Sequence, residues 1–322
     1  MESSREYQKK KIFEKISVAL ASGLAIEASV HKPGTSSPIR SAKGLYHHGF
    51  IIASIMISHA IEDLLLKIDL ADNECYDLGY IVRELYLRGE EIHGMGNLHL
   101  GFVILLAPVV AVIPRFLKEN VYYNNIDTSV FKNYEDLLKR ATDHLVKCGK
   151  KIHVSEIFSI LKRIYGSKIY IHEGPTPDLY KEENSVRSLW DLLYYGRYTD
   201  IILRELYSGY EVTRRYFEKI IASGDSELYK VTQEVFLDIA STYIDTHIVR
   251  SNSLVKALFF RNSLKFCQEI RSISGEIRDK CINLFDSLYR SLNINPGSIA
   301  DLIAFMISIR NLVKLSGETI FR

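Results

Sequence analysis

Apolar residues along this chain recur at intervals of three and four, the spacing that lays them on one face of a helix, and nowhere in a sustained alternation of two. Over residues 6–30, Ile12, Ile16, Val18, Ala19, Leu24 and Ile26 follow that spacing and predict a first helix. Pro33, Gly34 and Pro38, interleaved with Thr35, Ser36 and Ser37, predict a loop, because each proline fixes one dihedral and removes a donor. Helices are then predicted over 46–69, ended by Asp72-Asn73, and over 76–88. A turn at Gly94-Met95-Gly96 leads to an apolar helix over 101–113. Amphipathic helices are predicted over 134–147 and 155–165. The stretch 166–184, which holds Gly174, Pro175 and Pro177, reads as the longest irregular segment. Helices over 185–208, 210–221, 228–250, 253–272, 275–292 and 298–315 complete the series, with no strand, repeat or low-complexity tract. The expected fold class is all-α, a single multi-helix globular domain over 1–322.

Composition narrows the class of partner. Lys plus Arg number 41 against 39 Asp plus Glu, a formal charge of +2, so no strong field favours nucleic acid or an anionic membrane. Cys75, Cys148, Cys267 and Cys281 are scattered with no Cys-x-x-Cys pair, which argues against a zinc cluster or a disulfide framework and reads as four reduced thiols. The amino terminus has no signal-peptide pattern, and the apolar run from Gly101 to Ile113 contains Pro108 and is short of the roughly 20 residues that span a bilayer. A buried helix and a cytoplasmic location, away from membrane, are expected.

Polar chemistry in a helical protein concentrates at helix ends and at inward-facing acids, and four clusters stand out. Glu27-Ala28-Ser29 is followed by Lys32-Pro33-Gly34-Thr35, where a cation and a glycine turn suit a phosphate; a plain helix-ending turn is the simpler alternative. Gly96, Asn97 and His99 precede the apolar helix, whose amino terminus would favour an anion, although a tight interhelical turn explains the same residues. Asp200 lies between Tyr198 and Ile201-Ile202-Leu203, a mixture that more often marks a solvated face. In Asn295-Pro296-Gly297-Ser298-Ile299-Ala300-Asp301-Leu302, Ser298 suits an amino-terminal cap and Asp301 stands three residues on, the spacing of a capping pair. His47-His48 and the pair His93 and His99 lack metalloprotease or zinc-finger spacing.

In identity and order these clusters resemble the triphosphoribosyl-dephospho-CoA synthase family. The resemblance rests on Glu27-Ala28-Ser29 with Lys32-Pro33-Gly34, on Asn97 to Gly101 with Leu105-Leu106-Ala107-Pro108, on Asp200-Ile201-Ile202, and above all on Asn295 to Leu302. It departs at Thr35-Ser36, at Leu98 and at Ser251-Asn252-Ser253. The resemblance implies an all-α transferase that moves the triphosphoribosyl group of ATP to 3′-dephospho-CoA and releases adenine. It implies Glu27, Asp200 and Asp301 as catalytic carboxylates, with magnesium held by Asp200 and Asp301. Lys32, Gly34, Gly96, Asn97, His99 and Ser298 are then the phosphate or nucleotide contacts. The rival readings are pentosyl or nucleotide transfer to another cofactor precursor, such as a modified pterin, and a nucleotide binder without turnover.

Overall fold

The computed structural model describes residues 2–42, 44–71, 73–120, 128–152, 154–165, 188–270 and 274–316. Among them are fourteen α-helices and isolated bridges but no strand. The first half holds α1 (Glu2–Ser29), α2 (His47–Ala71), α3 (Leu78–Glu90), α4 (Leu100–Glu119), α5 (Tyr134–Cys148) and α6 (Ser155–Tyr165). A 3₁₀ turn, Thr128–Lys132, precedes α5. The second half holds α7 (Leu189–Gly196), α8 (Ile201–Tyr207), α9 (Glu211–Ile221), α10 (Leu228–Thr242) and α11 (Thr246–Ser251). It ends with α12 (Leu254–Ile270), α13 (Gly275–Ser291) and α14 (Gly297–Leu315). The irregular stretch expected over 166–184 lies outside the described residues.

Two of the expected helices are each a pair. The segment 185–208 breaks between α7 and α8 because the Asp200 carboxylate accepts the Ile202 and Leu203 N–H groups at 2.8 and 3.1 Å, starting a new helix there. The segment 228–250 breaks between α10 and α11, where Asp245 accepts the Ile248 N–H at 2.9 Å. Short acidic side chains compete with the helix for its own donors, and the apolar period runs on across the break, so periodicity does not register it.

One apolar core runs from Ile12 to Leu312, with α14 through its middle. Ile299, Leu302, Ile303, Phe305, Ile307 and Ile309 are all fully buried. α14 packs against α1, α4, α9 and α10, and α1 packs in turn on α2. Contact between α1 and α14 is unusually close: a β-carbon on Gly23 would lie 2.1 Å from Ser308 Oγ and 2.3 Å from Ala304 O. Ser308 Oγ donates across the crossing to Leu20 O.

The apolar run expected over 101–113 extends to Glu119, carrying Pro108 and Pro114 inside the helix. Proline removes a helix hydrogen bond, and beside Pro108 the buried Tyr210 hydroxyl donates to Leu105 O at 3.2 Å. By length and composition α2 and α4 could each cross a membrane, but 50% and 78% of their most apolar stretches are buried inside the fold.

The cysteines correct the reading from spacing. Cys75 pairs with Cys148 and Cys267 with Cys281, their Cα atoms 5.4 and 5.7 Å apart, and no described cysteine is free. The partners of the first pair are 73 residues apart, so only the packing of the α2–α3 connection on α5 brings them together. Chain-entropy arguments put closure of loops of these lengths at roughly 3–5 kcal/mol each. Thiol titration of the denatured, unreduced protein should therefore find none free, and a reductant should lower the melting temperature; four reactive thiols before reduction would contradict the pairing.

Candidate functional site

A cavity of about 460 Å³ opens between α1, α4, α6, α7, α8, α11 and the amino-terminal ends of α12 and α14. That is within the usual range for small-molecule sites. Apolar lining comes from side chains such as Leu24, Leu98, Ile104, Ile157 and Leu203. Polar lining comes from Glu27, Asn97, Asp200, Arg250, Ser298 and Asp301. These polar residues come from five separate stretches of sequence.

Asp301 lies on the second turn of α14 and reaches across to the start of α4. The Gly101 and Phe102 N–H groups donate to its carboxylate, and a β-carbon on Gly101 would lie 2.4 Å from Asp301 Oδ2. Asn97 Oδ1 accepts the next donor, the Leu100 N–H, at 3.0 Å. The helix terminus that suggested an anion site is thus filled by the protein's own carboxylate. Enclosure, followed by the nearby Glu27 and Asp245 charges, holds the Asp301 carboxyl well above the ordinary carboxylate range; the two N–H donors pull the other way.

Glu27 is 3% exposed. Its Oε1 stands 2.9 Å from Lys32 Nζ, which also donates to Glu27 O at 2.5 Å and Val30 O at 2.8 Å. Burial pushes the Glu27 carboxyl up and the Lys32 ammonium down, and each is drawn partway back by the other. Lys32 is fully buried with its donors spent inside the protein, so the expected lysine contact to phosphate does not form; it supports Glu27 from behind.

Gly34 and Gly96 also fall outside the cavity wall. Gly34 adopts a φ of 81°, packs against the Pro296 ring and donates its N–H to Asp286 Oδ1 at 2.8 Å. Gly96 has a φ of 76° and no atom within 4 Å of where a β-carbon would sit, so it serves the turn. His99 is fully buried between Tyr86 and His93, with Nε2 3.4 Å from Tyr86 O. Burial, then the neighbouring His93, lowers its pKa from 6.5 to about 3. It is a neutral core imidazole and not a ligand contact.

Ser298 and Asp301 do not cap their own helix. The Ser298 hydroxyl accepts the His247 N–H at 3.0 Å and lies 3.2 Å from Thr246 Oγ1. Asp245 performs the capping instead: Oδ1 serves α11, while Oδ2 accepts the Ile299 N–H of α14 at 2.8 Å. Burial raises the Asp245 carboxyl to about 7, against the pull of four backbone donors. The sequence around Asp245 marks only the start of its own helix, because its second helix is more than fifty residues away.

Asp200 is spent as well. Oδ1 caps α8, and Oδ2 receives Thr246 Oγ1 at 3.3 Å and forms an ion pair with Arg250. Both oxygens are occupied, so Asp200 does not fit the magnesium-ligand role expected beside Asp301. Among the described residues no group of three or more His, Cys, Asp or Glu side chains is arranged to hold a metal ion. Sequence reasoning missed Asp245 and Arg250; the Asp245-Thr246 pair at a helix start and the arginine five residues after Asp245 were the available signals.

The sequence model of the ATP:dephospho-CoA triphosphoribosyl transferase (CitG) family matches residues 13–320. No curated protein sequence matches the chain. Among solved structures, a protein of Archaeoglobus fulgidus proposed to be a triphosphoribosyl-dephospho-CoA synthase superposes with a TM-score of 0.53. The alignment covers 83% of this chain and 99% of that one at 17% identity, a likeness of fold.

Two substitutions test the site's construction. Alanine normally improves a glycine position inside a helix by about 0.5–1 kcal/mol, but Gly101→Ala should destabilise by about 1–3 kcal/mol, because the methyl group displaces the Asp301 carboxylate. A denaturation midpoint equal to or above wild type would contradict that contact. For His99 the folded-state pKa lies below the unfolded one, so its contribution is complete above pH 6.5 and is lost as pH falls toward about 3. The slope for one proton is about 1.4 kcal/mol per pH unit. In urea titrations the stability advantage of wild type over His99→Phe should therefore shrink across that window; a constant difference would place the imidazole in water.

Proposed function

The chain belongs to the ATP:dephospho-CoA triphosphoribosyl transferase family, and from that premise we propose that it transfers the triphosphoribosyl group of ATP to 3′-dephospho-CoA with release of adenine. The observation that carries the reading at this site is the meeting of Glu27 and Asp301 in the lining of one cavity, close enough for the Glu27 charge to raise the Asp301 carboxyl.

In such a transfer the bond between ribose C1′ and the adenine nitrogen breaks while the acceptor hydroxyl oxygen bonds C1′. The hydroxyl proton must go to a base, and the departing adenine must gain a proton. Positive charge builds on the ribose between these events. Two carboxyl groups in unequal environments suit the two halves of this demand. Asp301, held well above the usual carboxylate range, keeps a proton to give to adenine. Glu27, with Lys32 behind it, offers a carboxylate to the ribosyl cation and to the incoming hydroxyl. The apolar lining excludes water, which would otherwise compete with the acceptor.

Asp200 enters this scheme through Arg250, since its oxygens are occupied. Magnesium then comes with the substrate, as the counter-ion of the triphosphate; among the described residues no group of three or more His, Cys, Asp or Glu forms a preformed centre.

Adenine release from ATP and magnesium, measured with and without dephospho-CoA, tests the reaction. Wild type should release adenine and form the adduct only with the acceptor present. Asp301→Asn keeps the shape and an acceptor oxygen for the α4 donors, so it should fold as wild type. Its turnover should fall by about a hundredfold or more, the scale of a lost general acid. Wild-type turnover in this variant would return Asp301 to a structural role, and absence of adenine release from wild type would end the transferase reading.

A further inference from the structure

The transfer reaction leaves one demand unmet by the residues so far assigned: the triphosphate needs a cationic partner. The groups the sequence offered for it are engaged elsewhere or lie off the cavity lining. Lys32 is closed off behind Glu27, the start of α4 is filled by Asn97 and Asp301, and the Gly34 amide belongs to Asp286. Among the described residues that line the cavity, Arg250 is the sole lysine or arginine.

Arg250 is held but not used up. It stands at the end of α11 with its side chain 33% exposed, and Nη1 donates to Asp200 Oδ2. Its buried Nε–H has no acceptor among the described residues. An unsatisfied donor on a charged group costs more than a neutral one, so an incoming anionic oxygen gains by meeting it. Asp200 is locked at the α8 start by the Ile202 and Leu203 N–H groups and by Thr246. It therefore fixes one edge of the guanidinium while the rest of the fork stays available. Guanidinium geometry suits phosphate oxygens, which a point-charge ammonium matches less well. Asn252 and Ser253 add to the polar lining, and Ile104, Ile157 and Leu203 to the apolar lining.

We propose that Arg250 is the triphosphate-recognition residue of this cavity and that Asp200 is its positioning residue. ATP then lies with its base against the apolar lining, its ribose between Glu27 and Asp301, and its phosphates toward the α11–α12 junction. This assignment rests on the transferase reading for the identity of the ligand. The chemistry it names, a polyphosphate on a tethered guanidinium, can be examined without turnover.

Calorimetry with inorganic tripolyphosphate and magnesium, with ATP and magnesium, and with adenosine alone separates the parts. Wild type should bind tripolyphosphate and should bind ATP more tightly than adenosine. Arg250→Gln should weaken tripolyphosphate and ATP by about 10- to 100-fold, the range of a charge-assisted hydrogen bond, and leave adenosine unchanged. Arg250→Lys should recover part of the loss. Asp200→Asn still caps α8 but frees the guanidinium, so it should raise the KM for ATP more than it lowers kcat; an equal fall in stability and in both constants would make Asp200 structural only. Unchanged tripolyphosphate affinity in Arg250→Gln, or none in wild type, overturns the proposal. Should Arg250→Gln fail to fold by circular dichroism, Arg250→Lys decides: wild-type affinity and wild-type salt dependence there would overturn it. Tripolyphosphate binding through Arg250 in a protein that releases no adenine would uphold this site and remove the transferase reading.

Discussion

The crossing of α1 and α14 governs what the rest of the molecule can do. With no side chain at Gly23, the α1 backbone comes against Ala304 and Ser308 of α14, and the Ser308 hydroxyl bonds Leu20 O across the gap. The two helices run antiparallel here. One turn onward from Gly23 in α1 therefore lies near one turn back from Ala304 in α14, and those positions are Glu27 and Asp301. Close-packed interiors transmit small displacements, so a wider crossing would separate the two carboxyl groups and open the cavity between them. The acid pair is a consequence of how tightly two backbones approach.

Burying several carboxyl groups near one another is costly, and the fold offsets that cost with helix amino termini. Asp301 sits on the first turn of α4, Glu205 accepts the Val212 and Thr213 N–H groups at the start of α9, and Asp245 serves α11 and α14 together. In three of these cases a carboxylate from one element satisfies donors of another. Each such bond fixes a crossing as well as neutralising a terminus. Asp245 has the widest reach, since through Ile299 and the Ser298–Thr246 contact it holds α14 against the segment that carries Arg250. The polar lining accordingly holds one connected chain of hydrogen bonds from Asp200 through Thr246 to Ser298, while Asp301 is fixed separately by the start of α4.

The same arrangement distributes protons. Glu27, Asp245 and Asp301 are close enough that the charges of the first two raise the third. Lys32 relieves Glu27, four backbone donors relieve Asp245, and the Gly101 and Phe102 N–H groups relieve Asp301, yet burial still raises all three carboxyls. Unequal neighbours thereby give chemically similar groups different surroundings, the condition on which the proposed division between proton donor and charge stabiliser depends.

Sequence alone determined the helical class, the positions of most helices and the acidic residues worth following, because a 3.6-residue apolar period and Gly/Pro punctuation are local properties. It also identified the elements that bear Glu27, Asn97, Asp200, Ser298 and Asp301, all of which line the cavity. What it could not determine was which donors each side chain would meet. Lys32, Gly34 and His99 have the composition of ligand contacts, yet the packing encloses them or spends them on Glu27, Asp286 and Tyr86. Asp200 and Asp245 read as members of continuous helices until their carboxylates are seen to end one and begin another. The two disulfides and the tether of Arg250 to Asp200 likewise join residues 14 to 73 positions apart. Periodicity constrains which face of a helix is buried, but the identity of the neighbour across an interface depends on how the helices cross, and only the tertiary structure decides that.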